Sequence, residues 1–76
     1  MARKLNGAAV REIRLLAGIT QAELARRIGV NPALLCRAEQ GKAPLSAVMM
    51  RKVADTLGVA LDSISYPVPE PAEAAS

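Results

Sequence analysis

The chain contains no histidine, tryptophan or phenylalanine, one tyrosine (Tyr66) and one cysteine (Cys36). A lone cysteine excludes an intramolecular disulfide, and without histidine there is no Cys/His set to hold a metal. Nothing beside Cys36 would make it a nucleophile, so it reads as small, weakly polar filler. There is no phosphate loop and no catalytic pair. The expectation is therefore a protein that is not an enzyme, with no cofactor, no metal and no evident small-molecule ligand. No apolar run approaches the roughly 18–20 residues that span a bilayer, and no apolar stretch of the signal-peptide kind stands near the N-terminus. A reducing, cytoplasmic setting without a membrane partner is expected. With 76 residues there is room for one domain, and with one aromatic side chain its core must be aliphatic.

What is present is positive charge, unevenly spread. The net charge is +3, but all ten Lys and Arg lie between Arg3 and Lys52 while Glu70 and Glu73 fall in the last residues. The body is thus more basic than the whole chain. A compact basic domain suits a polyanion; an anionic membrane suits it less, because no segment reads as a basic, strongly amphipathic helix. Basic charge alone is weak support, since solvated surface explains it in most chains.

Glycines at 18, 29, 41 and 58 each follow an apolar-periodic stretch, where a left-handed helix end is needed. Helix starts are marked as well. Asn6 can cap a first helix with Val10, Ile13, Leu16 and Ala17 inward. Thr20 with Glu23 reads as a capping box opening a second helix, with Leu24, Ala25 and Ile28 inward. Asn31 followed by Pro32 is a cap and a first-turn proline; that third helix covers about residues 32–40, with Leu35, Ala38 and Glu39 inward. Ser46 can cap a fourth, striped by Ala47, Met50, Val53, Ala54 and Leu57. Residues 61–64 have room for a short fifth turn. Three prolines at alternate positions from Pro67 favour an extended tail, and the only strand-like stretch is 64–68. The expected organisation is a flexible basic arm at 1–5, a domain at 6–65, and a Pro/Glu/Ala-rich, extended or disordered tail at 66–76.

The constrained stretch lies between Gln21 and Gln40. Ala25 is small where two helices cross closely, Gly29 permits a tight turn, and Val30 plugs its inside. Two helices of about eight residues joined so tightly leave the second projecting at the width of a major groove. The run from Ile19 to Pro32, then Glu39-Gln40-Gly41-Lys42 and Val53-Ala54-Asp55-Thr56-Leu57-Gly58-Val59, resembles the Cro/repressor (XRE-type) helix-turn-helix family over residues 6–64. With no domain beside the DNA-binding one, the chain is most similar to a minimal phage Cro-type protein. The resemblance implies an all-α, compact five-helix domain that binds a pseudo-palindromic DNA operator as a homodimer and controls transcription.

It also implies site residues, each with a plainer alternative. Arg14 and Glu39 match a family pair between the first and third helices; the pair would hold the guanidinium near a phosphate, or be purely structural. Gln21 matches a backbone contact at a helix start, or is solvated there. Thr20 and Asn31 are caps first, with Asn31 next to the groove. Pro32, Ala33, Leu34 and Arg37 face outward on the third helix. Arg37 is the one long polar side chain placed to read a base, guanine by preference, or else meets a phosphate. Ala33 and Leu34 could touch thymine methyls, or Leu34 packs on its own domain. Gln40 and Lys42 match phosphate contacts, or are solvated. Arg3 and Lys4 form an arm along the backbone or in the minor groove, or a frayed basic end.

Val48 and Met49 do not fit the stripe of the fourth helix. Met49, Leu61, Ile64 and Tyr66 are the candidate patch for a second copy, unless Met49 belongs to the core. The leading reading is a homodimeric regulator, most simply a repressor. Alternatives are an antitoxin or restriction-modification controller on the same domain, or an interaction module that has lost DNA binding, consistent with the apolar outward residues.

Overall fold

A computed structural model describes residues 2–68. Four α-helices follow one another: α1 (Gly7–Leu16), α2 (Gln21–Ile28), α3 (Pro32–Glu39) and α4 (Ala47–Leu57). A 3-10 turn (Leu61–Ser63) comes next, and strands β1 (Ala2–Leu5) and β2 (Ser65–Val68) bracket the whole as an antiparallel pair. The expectation of an all-α domain with five helices is corrected: the fifth is a three-residue 3-10 turn, and a two-stranded sheet is added.

The caps act locally and explain why the helices begin where they do. The side chains of Asn6, Thr20, Asn31 and Ser46 accept from the backbone N–H of Ala9, Glu23, Ala33 and Met49, at 3.1, 3.1, 2.7 and 3.2 Å. Each satisfies a donor that a helix start leaves open. The capping box is only half made. Glu23 turns forward to Arg26 and Arg27.

The core gathers Leu5, Val10, Leu24, Ala25, Ile28, Leu35, Ala38, Leu45, Met50, Val53, Ala54 and Ile64. Two inward assignments fail on α1: Leu16 is 84% exposed and Ala17 is exposed, whereas Arg14 is buried. Counted at 100° per residue, Leu16 lies about 120° around the helix from Val10, off the face that Gly7, Val10 and Arg14 share. Ala47, placed in the α4 stripe, is exposed too.

The flexible arm expected at residues 1–5 is a strand from Ala2 to Leu5. It pairs Ala2 with Val68, Arg3 with Pro67, Lys4 with Tyr66 and Leu5 with Ser65. Burial of Leu5 anchors it, Arg3 donates to Ser65 and Asp62, and the N–H of Asn6 donates to the Ile64 carbonyl at 2.7 Å. A two-stranded sheet leaves one edge of β2 open, which tolerates the N–H missing at Pro67. The domain therefore runs past the expected boundary at residue 65; of the expected tail, residues 69–76 lie outside the described ones.

Candidate nucleic-acid interface

The α2–α3 unit depends on the turn between its helices. Gly29 adopts φ +78°, a left-handed conformation that costs an L residue roughly 1–2 kcal/mol. The N–H groups of Gly29 and Val30 both return to the Ala25 carbonyl, at 2.9 and 3.0 Å, which closes α2. Val30 packs against the core and Asn31 caps the next helix. The sharp reversal follows from these three residues.

A carboxylate fixes the inner side of α3. Glu39, 6% exposed, accepts from Arg14 through Nε at 2.8 Å and Nη2 at 3.1 Å, and from the Gln21 amide at 3.2 Å. Arg14 Nη1 donates to the Ile19 carbonyl at 2.9 Å. One buried group thereby ties together α1, the α1–α2 loop, the start of α2 and the end of α3. The Arg14–Glu39 pair is thus a buried structural tie, a role compatible with the expected phosphate contact through the two remaining N–H groups of the Arg14 guanidinium. Arg14 is 6% exposed, and all three of its guanidinium nitrogens donate to the protein. The Gln21 side chain, half-buried, is likewise turned inward, although the first amides of α2 precede the hydrogen-bonded turn.

Sequence reasoning missed Gly7. A Cβ there would lie 2.4 Å from the Ala38 carbonyl oxygen and 2.6 Å from that of Glu39. The start of α1 is thus pressed onto the last turn of α3, and only glycine fits. Its signal was faint: a glycine just after a cap, with no positive φ to demand it.

The outer side of α3 is open. Pro32, Ala33 and Arg37 are exposed, and among the described residues Arg37 has no acidic partner. Leu34 is half-buried and packs against the core, and Cys36 is half-buried beneath the Gln40 amide at 3.4 Å. Gln40 and Lys42 are exposed on either side of Gly41, past the end of α3. Asn31 and Thr20 are engaged as caps, which leaves the Asn31 amide N–H groups facing solvent. On β1, Lys4 is exposed, while the neighbouring Arg3 is half-buried and held by Asp62 and Ser65.

Of the four residues expected in a self-association patch, Ile64 is fully buried. That corrects its assignment: Ile64 closes the 3-10 turn through its N–H to the Leu61 carbonyl and belongs to the core. Met49 packs half-buried against the core, Leu61 is half-buried and Tyr66 is exposed on β2.

The helix-turn-helix sequence pattern matches residues 10–64. The chain belongs to that helix-turn-helix family. Within it the XRE-type signature fits, and the chain is a DNA-binding transcriptional regulator. Its curated relatives include the uncharacterized HTH-type transcriptional regulator YazB of Bacillus subtilis, 30% identical over 67 residues, 88% of this chain and 97% of that one. Among solved structures, the clp gene regulator ClgR of Corynebacterium glutamicum matches with a TM-score of 0.72 at 34% identity. That match covers 74% of this chain but 60% of ClgR. The restriction-modification controller C.AhdI of Aeromonas hydrophila gives a TM-score of 0.71 at 28% identity, over 75% of this chain and 86% of that protein. Among the described residues of this helix-turn-helix chain, no helix is long and apolar enough to cross a membrane.

Proposed function

We propose that this regulator is a repressor without catalytic activity, binding a pseudo-palindromic duplex as a homodimer with one α3 in each successive major groove. The observation that carries the reading is the division of α3. Leu35, Ala38 and Glu39 are locked inward, while Pro32, Ala33 and the unpaired Arg37 stand outside. Arg37 reads a guanine edge through O6 and N7, and Ala33 meets a thymine methyl. Gln40, Lys42 and the first amides of α2 hold phosphates on either side.

Self-association is assigned to the outer side of α4 and the turn after it. Val48 is 64% exposed there, beside Leu61 in a groove of about 700 Å³ whose walls also carry Arg51, Lys52 and Asp55. Both charge signs in one groove suit a two-fold contact, where each residue meets its counterpart's neighbour. A second reading, a restriction-modification controller, is favoured by the likeness to C.AhdI over most of that protein's length. It uses the same interface on different operators.

A salt titration of duplex-DNA binding tests the proposal. Affinity should fall steeply, with a log–log slope of about −0.9 per phosphate neutralised. Arg37→Ala should cost about 1–3 kcal/mol and relax preference at one base pair per half-site, whereas Lys42→Ala should weaken all sequences alike. A flat salt response would remove the DNA-binding reading; uniform loss for both variants would make Arg37 a phosphate contact only.

A further inference from the structure

The β1–β2 ribbon holds a charge that the fold does not use. Lys4 and Tyr66 are register partners across the pair, so their side chains leave the same face side by side. Both are exposed, and both line a surface groove with Gln40 and Gly41, at the end of α3. Lys4 and Gly41 also border an adjoining hollow, which Lys42 lines as well. Lys4 therefore lines both grooves, one of them together with Lys42.

Its neighbour provides the contrast. Arg3 is taken up by Asp62 and by the hydroxyl and carbonyl of Ser65, and so works for the fold. Among the described residues Lys4 has no such partner. The one carboxylate lining its groove, Glu39, is spent on Arg14 and Gln21. A tyrosine and an unpaired lysine on one face of a strand pair anchored by Leu5 offer a hydroxyl and an ammonium donor to an anionic oxygen.

We propose that Lys4 and Tyr66 form a second phosphate-contact element, a rigid ledge that grips the duplex backbone just beyond the C-terminal end of α3. The inference rests on the DNA-binding reading above and extends it. Its partner is the phosphodiester backbone of the same duplex, met through shape and charge and without base readout. The ribbon is folded before binding, so no ordering of an arm opposes the contact. The solvated alternative, a lysine that merely balances the negative end of the α3 dipole, makes no demand on Tyr66.

The experiment is fluorescence anisotropy on the full chain with a labelled duplex carrying its selected site, repeated from low to moderate salt. Lys4→Gln should weaken binding about three- to tenfold and make the log–log slope shallower by about one unit per bound domain. Lys4→Arg should keep the slope. Tyr66→Phe should lose about two- to fivefold at an unchanged slope, since the lost donor is neutral. Arg26→Gln serves as the charge-matched reference and should leave the slope alone. Circular dichroism melts confirm that each variant is folded. If Lys4→Gln behaves like Arg26→Gln while Arg37→Ala and Lys42→Ala still lose affinity, the ledge is wrong and the DNA-binding reading stands. If Lys4→Gln, Tyr66→Phe, Arg37→Ala and Lys42→Ala all leave binding unchanged, both readings fall together.

Discussion

At the scale of single residues, Glu39 decides the most. Its carboxylate is buried with two partners, Arg14 and Gln21, and sits on the helix that carries Arg37 two positions earlier. Removing one side of a buried ion pair strands the other charge, so Glu39→Ala should cost about 3–5 kcal/mol in urea denaturation. Replacing Glu39 and Arg14 together with leucine and methionine should cost far less, because no charge is left unpaired. Equal losses for the single and double replacements would show that packing, and not the charge pair, holds this corner. The Arg14–Glu39 pairing was legible from the family resemblance, whereas its burial was not. Three of the five guanidinium N–H groups donate inside the protein.

Among the elements, what was legible was local. A cap, a first-turn proline or a terminal glycine acts within a few residues, so all four helix starts and the α2–α3 turn could be read from the chain. What failed was long-range. Ile64 is buried because β1 returns to meet β2, and Gly7 is needed because α3 passes over it; neither neighbour is near in sequence. Gly7→Ala tests the second contact directly. The added methyl would meet backbone carbonyls that cannot rotate away, so a loss of about 1–3 kcal/mol is expected by thermal melting. An unchanged melting temperature would mean that α1 slides freely on α3.

The first turn of α2 has its own pH signature. The hydrogen bonds from Arg26, then Arg27, hold the Glu23 carboxyl at about 2, below its ordinary 4.5. A lowered folded-state value gives stability that is present above pH 4.5 and fades as the pH falls towards 2. The group is exposed, so solvent screens the gain and only its direction is expected. Melting followed from pH 6 to pH 2 should fall less for Glu23→Gln than for the wild type. Parallel curves would assign the acid sensitivity to other carboxylates.

For the whole molecule, discrimination is the quantity that argues for two copies. Each well-read base pair contributes about 1–3 kcal/mol, and one α3 offers a single long polar reader, Arg37. Two linked copies double that, with half-sites about 34 Å apart. A charge placed at exposed Val48, as Val48→Asp, should leave the fold intact, shift sedimentation to the monomer and weaken operator binding. A folded Val48→Asp that sediments as a dimer would move the interface elsewhere; tight binding by a strictly monomeric wild type would remove the dimer altogether.

The strand pair has a kinetic consequence. Ala2 meets Val68, so the sheet joins residues from opposite ends of the described chain, whereas each helix forms through hydrogen bonds within its own few residues. Bringing such distant segments together carries the largest loop-closure cost in the molecule, and only the four-helix body can lower it. The ribbon is therefore expected to zip last and open first, which amide exchange would read as the lowest protection among the described elements. If Lys4 and Tyr66 hold DNA, bound duplex stabilises that late-forming unit by mass action, and operator occupancy becomes a brake on the first step of unfolding.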